Sequence, residues 1–111
     1  MNNGHFSGAL SKEIKQDDLI YLIDKISKTA KVIKCETSQN TIIIPRSIKY
    51  ESEEYIVMSI SQNAFHKMNI KSIIFPPDSE LRTIEKCGFF SSKIESIFIP
   101  ASLVELNEEW C

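Results

Sequence analysis

Glycine is scarce, with three among 111 residues. None lies in a motif that could cradle a phosphate, which excludes the glycine-rich nucleotide-binding loops. Histidine is scarcer still. His5 lies near the start, and His66 follows Phe65 with Lys67 beside it. No Asp, Cys or second His stands at ligand spacing from either, so a histidine metal site is not indicated. The three cysteines, Cys35, Cys87 and Cys111, are odd in number, widely spaced and without a C-x-x-C pair. That argues against a zinc site and a redox motif, and leaves reduced thiols that pack as small hydrophobes. Cys87 has no base in evidence and so makes no nucleophile.

Neither sign of charge dominates. Lysine and arginine total 13, aspartate and glutamate 15, for a net charge of -2. Nothing electrostatic points to nucleic acid or to an acidic membrane. The densest acidic run, Glu51-Ser52-Glu53-Glu54, is too short for an acidic tail. Carboxylate pairs such as Glu53 with Glu54, or Glu80 with Glu85, read as solvated faces. No apolar run approaches the roughly 20 residues of a membrane helix. The opening MNNGHFSGALSKEIKQDD lacks the basic and apolar regions of a secretory signal. What remains is globular composition, 42% hydrophobic and 25% charged. The expectation is a chain with no catalytic, metal or cofactor site.

The positive signal is an internal repeat. Residues 59–76 read SISQNAFHKMNIKSIIFP and residues 83–100 read TIEKCGFFSSKIESIFIP. They align without a gap at a shift of 24 residues, so that Ile60 meets Ile84, Phe65 meets Phe89, Ile73 meets Ile97 and Pro76 meets Pro100. Upstream, Ile42-Ile43-Ile44-Pro45 repeats the strand-plus-proline element. Pro45 and Pro76 are 31 residues apart, so this unit carries an insertion, which falls around Tyr50 to Ile56. Downstream, Pro100 to Leu106 opens a further unit.

The alternation at 73–75 and 97–99 is the period-two signature of a strand. Residues 70, 73 and 75 turn inward, as do 94, 97 and 99 in the next copy. One such strand cannot bury its apolar face alone, but stacked coils build a parallel sheet and a continuous core. Proline closes each strand because it has no N–H for the ladder. A second short apolar pair follows, Ser59-Ile60 or Thr83-Ile84, and then Phe65 or Phe89 fills the other side of the coil.

These residues resemble the BspA-type leucine-rich repeats of bacterial and protist surface proteins. The likeness rests on Ile44-Pro45-Arg46-Ser47-Ile48, Ser59-Ile60, Asn63-Ala64-Phe65 and Ile70-Lys71-Ser72-Ile73. A second set comprises Leu81, Thr83-Ile84, Gly88-Phe89, Ile94-Glu95-Ser96-Ile97 and Ile99-Pro100, and a third comprises Ala101-Ser102-Leu103 and Leu106. Gly88 stands where the pattern has alanine, and the first unit is long. The resemblance implies a mostly β repeat solenoid of about three coils with an N-terminal hairpin cap. The 24-residue period lies inside the range of such repeats.

Three segments are expected. Residues 1–18 form a flexible polar tail. Residues 19–41 form the capping hairpin, and residues 42–111 form the repeats, the last incomplete. Within the cap, Leu19, Leu22, Ile23, Ile26, Ala30 and Ile33 also fit helical spacing. The hairpin reading is preferred because Thr29-Ala30-Lys31-Val32 matches a stretch on which the related strand pairs end. Trp110-Cys111 stands where earlier copies carry Gly88-Phe89, which leaves two readings: Trp110 packs over the last coil as a lid, or the chain is a piece of a longer array.

The expected functional surface is the outer face of the concave sheet. Ile43, Lys71, Ile74, Glu95 and Phe98 are the candidate protein-binding residues, with Ile43, Ile74 and Phe98 in a row, one per coil. The resemblance implies a surface-antigen or adhesion protein whose repeats bind a protein partner. The rival expectation is a structural spacer within a larger protein. No nucleic acid partner and no membrane insertion are expected. The location stays divided between the cell surface, from the resemblance, and the cytoplasm, from the missing signal and span.

Overall fold

A computed structural model describes residues 10–62, 64–65 and 70–85, together with the strand residues 96–97 and 105–106. Among the described residues the regular structure is β. Apolar residues alternate along short stretches, and β-branched side chains suit a pleated, half-buried surface. The first three strands are β1 (Ser11–Gln16), β2 (Leu19–Asp24) and β3 (Thr29–Cys35). They are followed by β4 (Thr41–Ile43), β5 (Ser47–Tyr50), β6 (Glu53–Ile60), β7 (Ser72–Ile74), β8 (Thr83–Ile84), β9 (Ser96–Ile97) and β10 (Glu105–Leu106). One sheet runs β1-β2-β3-β6-β8-β10, with β5 added to β6; the other runs β4-β7-β9.

Each coil gives one strand to each sheet, and coils stack in parallel register. On the longer sheet, Val32 pairs with Ile60, Ile60 with Ile84 and Ile84 with Leu106. Val32, Ile60 and Ile84 are all fully buried, forming a column through the core. On the shorter sheet, Ile42 pairs with Ile73 and Ile73 with Ile97. The backbone repeats its bonds with the side chains. Ser61 N–H donates to Val32 O at 2.7 Å, and Glu85 N–H, one repeat on, donates to Ile60 O at 3.0 Å. Phe65, Ile70 and Leu81 fill the space between the sheets with no measurable exposure. Ile44 N–H donates the last bond of its strand, to Ile74 O at 2.9 Å, and Pro45 then stops the ladder.

The N-terminal end adds a strand to the expected hairpin. β2 and β3 are antiparallel, joined through residues 25–28, where Asp24 Oδ1 accepts from Ile26 N–H at 2.9 Å and Ser27 N–H at 3.2 Å. The polar stretch before them is not all tail, because β1 pairs along β2 from Ser11 opposite Asp24 to Gln16 opposite Leu19. Ile14 is the one residue of β1 that reaches the core. A single buried residue flanked by Glu13 and Lys15 leaves little periodicity to read. An edge strand with charged outward residues also resists unwanted pairing. β3 is both the last strand of this cap and the first rung of the stack, because it pairs in parallel with β6.

The insertion in the first repeat is a hairpin. β5 and β6 pair antiparallel, with Tyr50 opposite Glu53, so Glu51 and Ser52 alone make the turn. Both have positive φ, 52° and 69°, as do Asp17 at 49° and Asp18 at 70° between β1 and β2. Two consecutive left-handed residues are what a two-residue turn needs to match the twist of its strands. β6 is long enough to serve twice. Its first half pairs with β5 and β3, and its second half with β3 and β8. An irregularity at Met58 resets the alternation, so that Tyr55 and Val57 face inward before it and Ile60 after it.

Two stability measurements follow. Ile60→Ala deletes a buried rung and should cost about 2–5 kcal/mol in urea unfolding. Ile26→Ala, at a position 71% exposed, should stay within about 0.5 kcal/mol. Equal losses at the two positions would contradict the stacking column. Ser52→Gly relieves a left-handed serine and should stabilise by about 0.5–1 kcal/mol after the extra freedom of glycine in the unfolded chain is subtracted. A destabilised variant would show that the turn is held by something other than its backbone angles.

Candidate functional site

The outer face of the β4-β7-β9 sheet carries two adjacent exposed isoleucines. Strand alternation sends Ile42 and Ile44 into the core and leaves Ile43 outside; in β7 it buries Ile73 and leaves Ile74 outside. Ile43 is 60% exposed and Ile74 46% exposed, and they are direct partners across the ladder. Neighbouring strands lie about 4.8 Å apart, so the two side chains form one continuous apolar patch. Thr41 and Ser72 form the preceding pair, and Lys71 is exposed just ahead of β7. Asn40 O fixes the approach of that segment by accepting from Lys71 N–H at 2.7 Å and Ser72 N–H at 3.1 Å. The three described candidates, Ile43, Lys71 and Ile74, are thus brought together. Glu95 and Phe98 lie outside the described residues. The backbone of β9 continues the ladder, with Ser96 paired to Ser72.

Charged groups collect elsewhere. Arg46, directly after Pro45, is ion-paired with Glu80 and lies 3.6 Å from Glu54 and 3.9 Å from Asp78. Ser47 Oγ donates to the same Glu54 at 2.6 Å. This ties the inserted hairpin to the turn of the following repeat. The sequence did hold a signal for it, since the residue after the proline is Arg46 in one copy but Pro77 and Ala101 in the next two. On the longer sheet, Lys31 Nζ meets Glu85 Oε2 at 3.0 Å, and Gln62 N–H donates to Glu85 Oε1 at 3.1 Å. Lys28 pairs with Glu53 and lies 5.6 Å from the Tyr55 ring centre. Hydrogen bonding to Glu53 first, then its charge, holds the Lys28 ammonium above its usual pKa. These are exposed pairs that steer loop geometry and add little stability.

Cys35 is a free, buried thiol whose pKa is pushed up mainly by burial, with Asp18 and Glu36 adding to it. Tyr21 is held protonated by burial first, then by Asp17 and Cys35. Among the described residues, no group of three His, Cys, Asp or Glu is placed to hold a metal ion.

The two-sheet coil with stacked inward isoleucines can be compared with solved structures. A leucine-rich repeat protein from Bacteroides capillosus ATCC 29799 superposes with a TM-score of 0.72 at 18% identity, covering 88% of this chain and 91% of that one. The chain has the leucine-rich-repeat fold. A leucine rich cell surface protein from Faecalibacterium prausnitzii A2-165 superposes with a TM-score of 0.68 at 15% identity. There the match covers 87% of this chain and 27% of the neighbour, so the chain spans about a quarter of that protein's length. No protein-family model matches the chain, and no curated protein matches its sequence. At these identities the neighbours speak to the fold of the repeats and leave their ligand to be argued separately.

A buried thiol with a raised pKa should ignore an alkylating reagent in the native state. In brief iodoacetamide treatment with peptide mapping, Cys35 is expected to stay unmodified until urea unfolds the chain. Rapid native labelling of Cys35 would mean that the cap opens or that the thiol is activated.

Proposed function

We propose that this leucine-rich-repeat chain is a protein-interaction module, and that its partner docks on the outer face of the three-stranded sheet. The observation that carries the reading is the exposed pair of Ile43 and Ile74 in register on adjacent strands. Leaving two large β-branched side chains half in water forgoes burial that the core could have used. A contiguous apolar pair rimmed by Thr41, Ser72 and Lys71 has the make-up of an interface centre with a polar rim. Lys71 offers the partner a cation, and the expected continuation through Glu95 and Phe98 would extend the strip by one coil. The cell-surface description of the Faecalibacterium neighbour supports a surface or adhesion setting for such a module.

The rival is a spacer, in which the isoleucines recur only because the repeat recurs. The two readings separate by measuring fold and binding independently. The wild-type chain is screened against immobilised surface and matrix proteins, and Ile74→Ser is compared on whatever it binds. Loss of affinity by roughly tenfold or more, as for an interface anchor, with a urea midpoint close to wild type, is the expected result. If Ile74→Ser unfolds the chain, or folds and binds undiminished, the face is structural and the spacer reading replaces this one.

A further inference from the structure

The first strand of the shorter sheet has an open edge. Among the described residues β4 pairs only with β7, and its bonds to β7 fall at alternate residues, with Asn40 O accepting from Ser72 and Ile44 N–H donating to Ile74. Alternation therefore turns the N–H and C=O groups of Thr41 and Ile43 away from β7. Among the described residues, neither amide meets a partner. Pro45 ends that edge without a donor. A row of unpaired backbone groups is a template for another strand.

Beside this edge lies a groove of about 430 Å³, between the β1–β2 turn and β4. Leu19, Ile42 and Ile48 give it an apolar floor, and Asp17, Tyr21 and Ile43 also line it. Tyr21 is 1% exposed, and its hydroxyl has no hydrogen-bond partner among the described residues. A buried phenol of this kind usually finds one. Asp17 and its neighbour Asp18 form the left-handed turn at the groove's end. Among the described residues, neither carboxylate has a cation within salt-bridge distance, although Lys15, Lys28, Lys31, Lys34 and Arg46 all do have acidic partners. Gln16 is committed to Lys49 O at 2.6 Å.

We propose that this groove is a second docking site, in which an extended segment of a partner protein pairs with the free edge of β4 and places a lysine or arginine against Asp17 and Asp18. The main-chain pairing supplies affinity and the carboxylates select charge, the division of labour in strand addition. The site is separate from the apolar face. It uses the backbone of Ile43, whereas the face uses its side chain, and a variant at Ile74 tests only the latter.

The test uses the isotope-labelled chain and a short acetylated, amidated peptide alternating valine and lysine, followed by amide NMR. Saturable shifts at Thr41, Ile43 and Asp17, with slowed exchange of the Thr41 and Ile43 amides, are expected. The same peptide with N-methylated backbone should not bind, and a valine–glutamate peptide should bind more weakly. Asp17→Asn with Asp18→Asn keeps residues that tolerate the left-handed turn. It should weaken the lysine peptide by roughly two- to fivefold, the range of an exposed charge pair, and erase the preference over glutamate. Ile43→Pro removes one edge donor and should abolish the slowed exchange at Thr41. No saturable shift, or equal binding by the N-methylated peptide, overturns the proposal. So does a concentration-dependent shift of the same amides without peptide, which would make a second copy the occupant. So does peptide binding that appears only after residues 1–9 are removed, which would make that segment the occupant.

Discussion

Everything in this molecule depends on the inability of one coil to bury its own apolar face. A two- or three-residue strand such as Thr83–Ile84 has no independent stability. It persists because Ile84 sits directly above Ile60, which sits above Val32, in a column that excludes water. The same geometry sets the period. In the described coil the chain passes once through each sheet, turns at Pro45 on the short sheet and returns past the buried Phe65. A change in loop length is tolerated only where the chain can leave the stack and rejoin it in register. The inserted hairpin of β5 and β6 does this by keeping Ser59 and Ile60 on their rung while the extra residues pair with one another.

The stack also explains the cap. The first coil needs something on its exposed side, and the chain supplies antiparallel strands that turn into the parallel ladder within β3. Leu19, Tyr21 and Ile23 from β2 and Ile14 from β1 cover the end of the core, while Lys15, Lys34 and Glu36 face water. Their ion pairs matter less for stability than for keeping that end charged and unattractive to another sheet. Among the described residues the cover lies on the longer sheet. On the shorter sheet β4 comes first, with nothing paired beyond it among the described residues, and Pro45 is the protection visible there.

The legible parts of the fold were those that recur. The alternation ahead of each proline marked which isoleucines face in and which face out, and the structure places Ile42, Ile44, Ile73 and Phe75 inside with Ile43 and Ile74 outside. What occurs once was harder to read. β1 contributes one buried side chain, Ile14, so no periodicity marks it, and its turn is Asp-Asp where glycine would have announced a hairpin. The turn at Glu51-Ser52 is hidden for the same reason. Both hairpins are written in hydrogen bonding and backbone angles, whereas the repeat is written in side chains. Arg46 was visible only as a departure from the repeat, and its role emerged when three carboxylates from two different units were found around it.

That contrast bears on how a repeat protein acquires specificity. Positions facing the core must repeat, because each rung has the same neighbours above and below. Outward positions are free of that constraint, and a feature there that recurs in register, such as Ile43 beside Ile74, extends a surface without defining its ends. Ends are defined by what does not recur: Lys71 at one margin of the face, and the aspartate turn and free strand edge where the solenoid begins. An apolar strip alone would accept any flat hydrophobic partner. Coupled to the proposed edge site, which would ask for an extended backbone and a cation, it would discriminate. On the proposed reading, recognition would belong where the repeat is interrupted, with the repeat itself supplying the rigid spacing between those points.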